Sequence, residues 1–326
     1  MMLRKVIVIG AINEAGTSLL DDRPDIEYEV VVDVSEENLC QVVQNAHGLL
    51  VRTANISTRV IASAPNLEVV SRHGVGYDNV DVESLTARRI PLALAVGSNA
   101  VSVAEQAMHL ILTLTKQGFL YHQAVQKGEF DFRQRPSSTC LEGKSILVIG
   151  FGRTGSRVAA RAAAFDMNIF VIDPYINPDI IRRAGGTVVT DLATVLPHMD
   201  VVTIHCPKTP ETRNLIGRTA LDAMKASAIL INTARGGIVN EMDLVAALSS
   251  NQIAGAGIDV FETEPPDIDH PLLALPNVVL SPHCAGVTRE SLIQMATIAA
   301  QNILAAFDGT LQPEMVANAE VLLGPT

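Results

Sequence analysis

The chain has 326 residues, 48% hydrophobic and 18% charged, enough to bury a large core and to form two domains. A formal net charge of -11 argues against a nucleic-acid partner, which needs a basic face, and no apolar run approaches the roughly 18 residues that cross a bilayer. Cys40, Cys140, Cys206 and Cys284 are too widely spaced for a Cys-x-x-Cys metal site or a disulfide framework, so a cytoplasmic protein without a metal is expected.

The first apolar run, 6–12, is cut short by Asn13 and Glu14, which makes it a strand rather than a signal peptide. Further short runs at 29–32, 48–51, 67–70 and 91–93 alternate with stretches long enough for helices, 36–45 and 80–88 among them, the pattern of a doubly wound parallel sheet. Gly10 and Gly16 lack a full nucleotide fingerprint, so no nucleotide is expected there. Arg52 follows one strand and Ser71-Arg72-His73-Gly74-Val75-Gly76-Tyr77-Asp78 follows another. Ligands of open α/β sheets sit beyond the carboxyl ends of strands, which makes both segments candidate substrate loops. Gly74 and Gly76 can expose N–H groups to a carboxylate, and Arg52 and Arg72 offer guanidinium forks for carboxylate or phosphate. The glycines making only a turn, and Arg72 pairing with an acid such as Asp78, is the other reading of the same residues.

Residues 99–117 carry Val101, Ala104, Met108, Ile111 and Leu112 at helical spacing, with Gly118 as the stop, and lead the chain into a second domain. Residues 119–142 are less periodic and hold Lys127, Arg133 and Arg135, an arm or subunit contact. Then Ile146-Leu147-Val148-Ile149 runs into Gly150-Phe151-Gly152-Arg153-Thr154-Gly155, and 156–165 follow with Val158, Ala162 and Phe165 on one helical face. This reads as strand, tight turn and helix. Gly150 makes the turn, Gly152 lets a pyrophosphate approach bare backbone, and Gly155 lets the helix pack on the strand. A second strand, 168–173, ends in Asp173 near the fingerprint's spacing of about 20 residues. A carboxylate there accepts from ribose hydroxyls and repels a 2′-phosphate, which favours NAD over NADP; an exposed strand-end acid is the plainer alternative. Strands are expected at 187–190, 201–205, 229–232 and 278–281. A last helix, 288–307, has Leu292, Met295, Ala296, Ala299 and Ile303 on one face and crosses back to complete the first domain.

Three groups at strand ends suit hydride chemistry on a 2-oxo acid. Arg235, in Asn232-Thr233-Ala234-Arg235-Gly236-Gly237, can grip a carboxylate. His283, in Ser281-Pro282-His283, can exchange a proton near neutrality, and Glu264, in Asp259-Val260-Phe261-Glu262-Thr263-Glu264, can orient the imidazole. His205, also at a strand end, competes for the same role.

Over nearly its whole length the chain resembles the D-isomer-specific 2-hydroxyacid dehydrogenases, and among them short phosphoglycerate dehydrogenase-like members. The segments that carry the resemblance are 72–81, the glycine fingerprint, His205-Cys206-Pro207 with Thr212, 232–241, 259–265 and Pro282-His283. It implies a Rossmann NAD-binding domain at 100–286, inserted into a split flavodoxin-like substrate domain at 1–99 and 287–326. It further implies a homodimer formed through the NAD-binding domains and NAD-linked oxidation of a D-2-hydroxy acid.

By the same resemblance Arg235, Glu264 and His283 are catalytic, and His205 is structural. Arg153 and Thr154 meet the pyrophosphate, and Asp259 meets the nicotinamide carboxamide. Val75, Cys206, Pro207, Thr233, Ala234 and Ala285 line the cofactor site, Cys206 standing where the family often has threonine. Arg52 and Arg72 match phosphate-binding positions, with His73, Gly74, Val75 and Gly76 beside the substrate, and Arg133 or Arg135 reaches a partner subunit. The expected substrate is 3-phosphoglycerate, with hydroxypyruvate, glyoxylate or another D-2-hydroxy acid as alternatives and a non-catalytic NAD(H)-sensing interaction protein as the reading of another class. The distance from His283 to the last residue leaves no room for a regulatory C-terminal domain, so serine feedback is not expected.

Overall fold

A computed structural model describes residues 3–135 and 137–323. The chain divides into two compact units, Met1–Asn99 with Val287–Thr326, and Ala100–Gly286.

In the first unit five parallel strands, β1 (Arg4–Ile9), β2 (Ile26–Val31), β3 (Gly48–Val51), β4 (Val69–Arg72) and β5 (Leu92–Leu94), pair in the order β2-β1-β3-β4-β5. That is the flavodoxin-like order, with its switch point between β1 and β3. β3 is buried along its whole length, as befits a central strand covered on both faces. One face packs Leu39, Val60, Ile61 and Leu85 from short helices, two of them capped by Ser57 and Asp81. The other face meets Leu20 and the long helix Arg289–Phe307, whose Ala299, Ala300 and Ile303 cover Val6, Val8 and Leu50. A Cβ at Gly16 would lie 2.6 Å from the carbonyl oxygen of Ala296, so the two helices meet this closely only because that residue is glycine. Ser71 Oγ donates to Ala299 O at 2.9 Å and Asn302 Nδ2 to Leu94 O at 3.0 Å, which satisfies buried polar groups between helix and sheet.

The second unit has seven parallel strands, β6 (Ser145–Ile149), β7 (Asn168–Ile172), β8 (Thr187–Val188), β9 (Val201–Ile204), β10 (Ile229–Asn232), β11 (Gly255–Ile258) and β12 (Val278–Leu280), in the order β12-β11-β10-β9-β6-β7-β8. The order reverses between β6 and β9, as in a Rossmann sheet. The fold is therefore α/β throughout, with two parallel-sheet units.

Several local expectations need correction: β2 starts at Ile26, three residues before the run 29–32, β8 stops at Val188, two residues short of 187–190, and four further differences follow. β11 is absent from the apolar runs because Gly255 and Gly257 interrupt it; a Cβ at Gly257 would lie 2.8 Å from Leu110 Cβ, so the glycine admits the helix Ala100–Lys116. β4 starts at Val69 and reaches Arg72, two residues later than the apolar run 67–70 suggests. The helix after the glycine turn spans Arg153–Ala163; Val158 and Ala162 are buried on it, whereas Phe165 lies beyond its end and is 42% exposed. Finally, Gly118 begins a second helix, Gly118–Gln126, and the break falls on left-handed Gln117, whose side chain donates to the carbonyl of Leu114 at 2.8 Å.

Candidate active site

All strands of the second sheet are parallel, so the loops after β6, β7, β9, β10, β11 and β12 lie along one edge. At the switch point Gly150 has φ +92°, and a Cβ on it would lie 2.7 Å from Cys206 N, so the β6 turn and the β9 end touch backbone to backbone. A Cβ at Gly155 would lie 1.9 Å from the Gly150 carbonyl oxygen, which enforces glycine where the helix packs on the turn. Gly152 has no atom within 4 Å of such a Cβ and forms the helix N-cap without a side-chain bond. Bare backbone at a helix N-terminus, with Arg153 and Thr154 in the first turn, suits a pyrophosphate.

Asp173 does more than end a strand. Its Oδ2 accepts from Phe151 N at 2.7 Å and its Oδ1 from Tyr175 N at 2.9 Å and Ile176 N at 3.2 Å, so it also fixes the glycine turn. A carboxylate has about four lone-pair positions, which leaves capacity for a hydroxyl. Beside it, burial and then the Asp173 charge push the Cys206 thiol up to about 11, so it stays neutral next to the glycine turn. The next residue's carbonyl, Pro207 O, accepts from Thr212 Oγ1 at 2.7 Å, closing that loop. His205 hydrogen-bonds Thr203 Oγ1 through Nε2 at 2.8 Å, its Nδ1 is buried without a partner among the described residues, and burial lowers its pKa to about 3. A ring kept neutral in this way is a poor proton donor.

After β10, Asn232 shapes the next loop from both ends. Its Oδ1 accepts from Ala234 N at 3.1 Å and its Nδ2 donates to Arg235 O at 3.0 Å, an Asx turn that sequence spacing did not single out. Arg235 also donates through NH1 to Ala234 O at 2.7 Å, and the Thr233 hydroxyl is buried without a partner among the described residues.

Asp259, fully buried after β11, accepts from Ser281 Oγ at 2.6 Å, Cys284 N at 3.0 Å and Ala285 N at 3.0 Å, while its carbonyl accepts from His283 N at 2.8 Å. It thereby holds the loop 281–285, in which His283 adopts φ +51°. Glu264 Oε2 meets His283 Nδ1 at 2.6 Å, and its Oε1 accepts from Phe261 N at 2.9 Å. Glu264 and His283 are thus brought together, on loops adjoining the one that carries Arg235.

In the first unit Arg52 stands beyond β3 at the switch point. A Cβ at Gly10 would come within 3.3 Å of its Cβ, and its NH1 donates to Ala11 O at 3.0 Å. The Arg72 guanidinium donates to Gly76 O at 2.7 Å, to Val51 O at 3.1 Å and to Arg52 O, tying the two candidate loops together. Gly74 has φ +144°. Val75 is exposed, while His73 is buried with Nε2 lacking a partner among the described residues; burial, then the Arg52 charge, lowers its pKa to about 4. Arg133 and Arg135, in the second unit, stack over Phe130 and Phe132 at 4.9 and 5.9 Å.

These features match known proteins. Residues 108–285 fit the family described as D-isomer specific 2-hydroxyacid dehydrogenase, NAD binding domain. D-3-phosphoglycerate dehydrogenase of Methanocaldococcus jannaschii is 38% identical over 313 residues, which cover 96% of this chain and 59% of that relative. Glyoxylate reductase of Thermofilum pendens is 38% identical over 324 residues, 98% of this chain and 95% of the relative. Among solved structures, the TT0316 protein of Thermus thermophilus superposes with a TM-score of 0.85 at 31% identity, covering 96% of this chain and 99% of that one.

The chain belongs to the D-isomer-specific 2-hydroxyacid dehydrogenase family, and 108–285 lie in its NAD-binding domain. It spans 59% of the length of the Methanocaldococcus phosphoglycerate dehydrogenase and 56% of that of Archaeoglobus fulgidus. No described helix is long and apolar enough to cross a membrane.

Proposed function

We propose that the chain is an NAD-dependent dehydrogenase that interconverts a D-2-hydroxy acid and its 2-oxo acid. The observation that carries this reading is the 2.6 Å contact of Glu264 Oε2 with His283 Nδ1 at the carboxyl edge of the sheet whose open glycine turn suits a dinucleotide. With Nδ1 committed to Glu264, Nε2 is the ring nitrogen left to meet the substrate oxygen. In the reductive direction His283 gives its Nε2 proton to the carbonyl oxygen of the 2-oxo acid, and in oxidation it takes the proton back from the hydroxyl. Glu264 orients the ring and stabilises the imidazolium, and Arg235 holds the substrate carboxylate. NAD, when bound, supplies the hydride acceptor. Gly152, Arg153 and Thr154 would hold its pyrophosphate, Asp173 the adenosine ribose, and Thr233, Asp259 and Ala285 the nicotinamide end.

For the substrate we favour 3-phosphoglycerate, which the relatives named D-3-phosphoglycerate dehydrogenase and the arginine at the first unit's switch point support. A smaller acid such as glyoxylate or hydroxypyruvate is the second reading. It is supported by the engagement of Arg72 with three backbone carbonyls and by the near-full-length match to a glyoxylate reductase. Comparing phosphohydroxypyruvate, hydroxypyruvate and glyoxylate with NADH, before and after Arg52→Ala, separates the two: selective loss of the phosphorylated compound supports the first, and no turnover of any 2-oxo acid overturns both. A preference for NADPH would overturn the role given to Asp173. Exposed Phe119, Leu120, Val125 and Phe130 support a homodimer formed through the NAD-binding unit, and four free cysteines fit a reducing, cytoplasmic setting.

A further inference from the structure

The loop that carries Glu264 is held from behind by groups that belong to none of the roles above. Glu241 opens the helix Glu241–Ser249, immediately downstream of the loop bearing Arg235. Its Oε1 accepts from the backbone N–H of Glu262, and its Oε2 meets His270 Nε2 at 3.0 Å, with both side chains largely buried. His270 Nδ1 accepts from Leu272 N at 3.3 Å, so the ring proton sits on Nε2 and is donated to Glu241. The same ring packs edge-on against Phe261, with centroids 6.1 Å apart and planes at 79°.

Two consecutive peptides of this loop are therefore each held by a carboxylate. The Phe261 N–H is on Glu264 Oε1, and the Glu262 N–H is on Glu241. The intervening carbonyl presses on the loop of Arg235, since a Cβ at Gly236 would lie 1.8 Å from Phe261 O. A shift of the 261–262 backbone thus disturbs the Glu264 carboxylate on His283 and the loop of Arg235 at the same time. Only a carboxylate can accept from both the Glu262 amide and the His270 ring; a glutamine amide satisfies one and opposes a donor to the other.

Resting on the catalytic reading of Glu264 and His283, we propose that Glu241 and His270 are positioning residues that set the Glu264–His283 pair and lock its loop onto that of Arg235. Neither touches the reacting atoms. Glu241→Ala lowers kcat about ten- to a hundred-fold, the cost of a small misplacement, while the Kd for NADH stays within about two-fold. Glu241→Gln falls between Glu241→Ala and the parent, and His270→Ala loses less than Glu241→Ala.

The test combines these rates with the imidazole 15N spectrum of His283, assigned by its loss in His283→Gln. In Glu241→Ala that signal moves toward its position in Glu264→Gln, and in the Glu264→Gln background the Glu241 substitution costs less kcat than it does in the parent. A His283 spectrum unchanged in folded Glu241→Ala, or a full independent loss in the double variant, overturns the proposal. The spectrum also separates the two claims. If the parent turns over no 2-oxo acid while His283 still senses Glu241, the functional reading fails and the positioning contact stands. Glu241→Gln, which keeps one of the two hydrogen bonds, supplies the spectrum if Glu241→Ala does not fold.

Discussion

In the second unit the loops beyond the strands are tied by acids that accept from donors, Asp173 from Phe151, Tyr175 and Ile176 and Asp259 from Ser281, Cys284 and Ala285. In the first unit the corresponding loops are tied by arginines that donate to carbonyls, Arg72 to Gly76, Val51 and Arg52, and Arg52 to Ala11. Both devices satisfy backbone groups that a tight turn leaves without a strand partner. They differ in the charge left behind. Of the two acids, Asp259 suits the positive nicotinamide ring of oxidised NAD, and the arginines at the first edge suit an anionic group, so part of the bracing falls on residues proposed to meet a ligand.

The sharpest test of that division is at the chemistry itself. His283→Ala removes the proposed proton donor and should lower turnover about 10²- to 10⁴-fold while the fluorescence change of NADH on binding stays as before. Retained turnover would leave the second edge with a binding role only. Next come the braces. Asp259→Ala strands three donors in a buried place and should cost about 3 kcal/mol, read from the urea midpoint at constant m-value, whereas Arg72→Ala, whose carbonyls can turn to water, should cost about half as much. Equal losses would break the comparison between an inner acid brace and an outer arginine brace.

A pH effect follows from one buried histidine in each unit. His205 and His73 titrate at about 3 and 4 in the folded chain, against an unfolded value of about 6.5. The unfolded state then binds more protons below pH 6.5, so stability is full above that pH and falls on acidification toward the folded values. Each histidine contributes up to about 1.4 kcal/mol per pH unit, or about 2 kcal/mol between pH 6.5 and 5. Replacing either with asparagine should flatten the slope of unfolding free energy measured across that window; an unchanged slope in both variants would remove the burial argument. The smallest stability change belongs to Gly152→Ala. Open space around the new Cβ predicts a change within about 0.5 kcal/mol, with NADH affinity reduced, in contrast to Gly155→Ala, whose Cβ meets a carbonyl oxygen.

Much of this is legible in the sequence. The alternation of apolar runs defines two parallel sheets because buried strands of such sheets read as continuous Val, Ile and Leu, and β3 and β10 appear at the very residues the runs mark. The pattern fails at β11, where glycines replace the apolar run. It also fails at Gln117, where a side-chain bond to Leu114 lets a non-glycine residue end a helix.

By itself the sequence determined the strand–turn–helix at 146–155 and the reading of its nucleotide. Glycine's freedom and the end of an apolar strand are properties of neighbouring residues, so a short window contains them. The partners of each charged side chain were decided only by the tertiary structure. Arg72 could have faced an anion, Asp78 or a carbonyl; Glu241 and His270 carry no motif. Their roles rest on groups 20 to 30 positions away, Val51 and Arg52 for Arg72 and His270 for Glu241, which meet only when separate strands deliver their loops to a common edge. Hydrogen bonds act over about 3 Å of space, and distance along the chain does not encode that proximity.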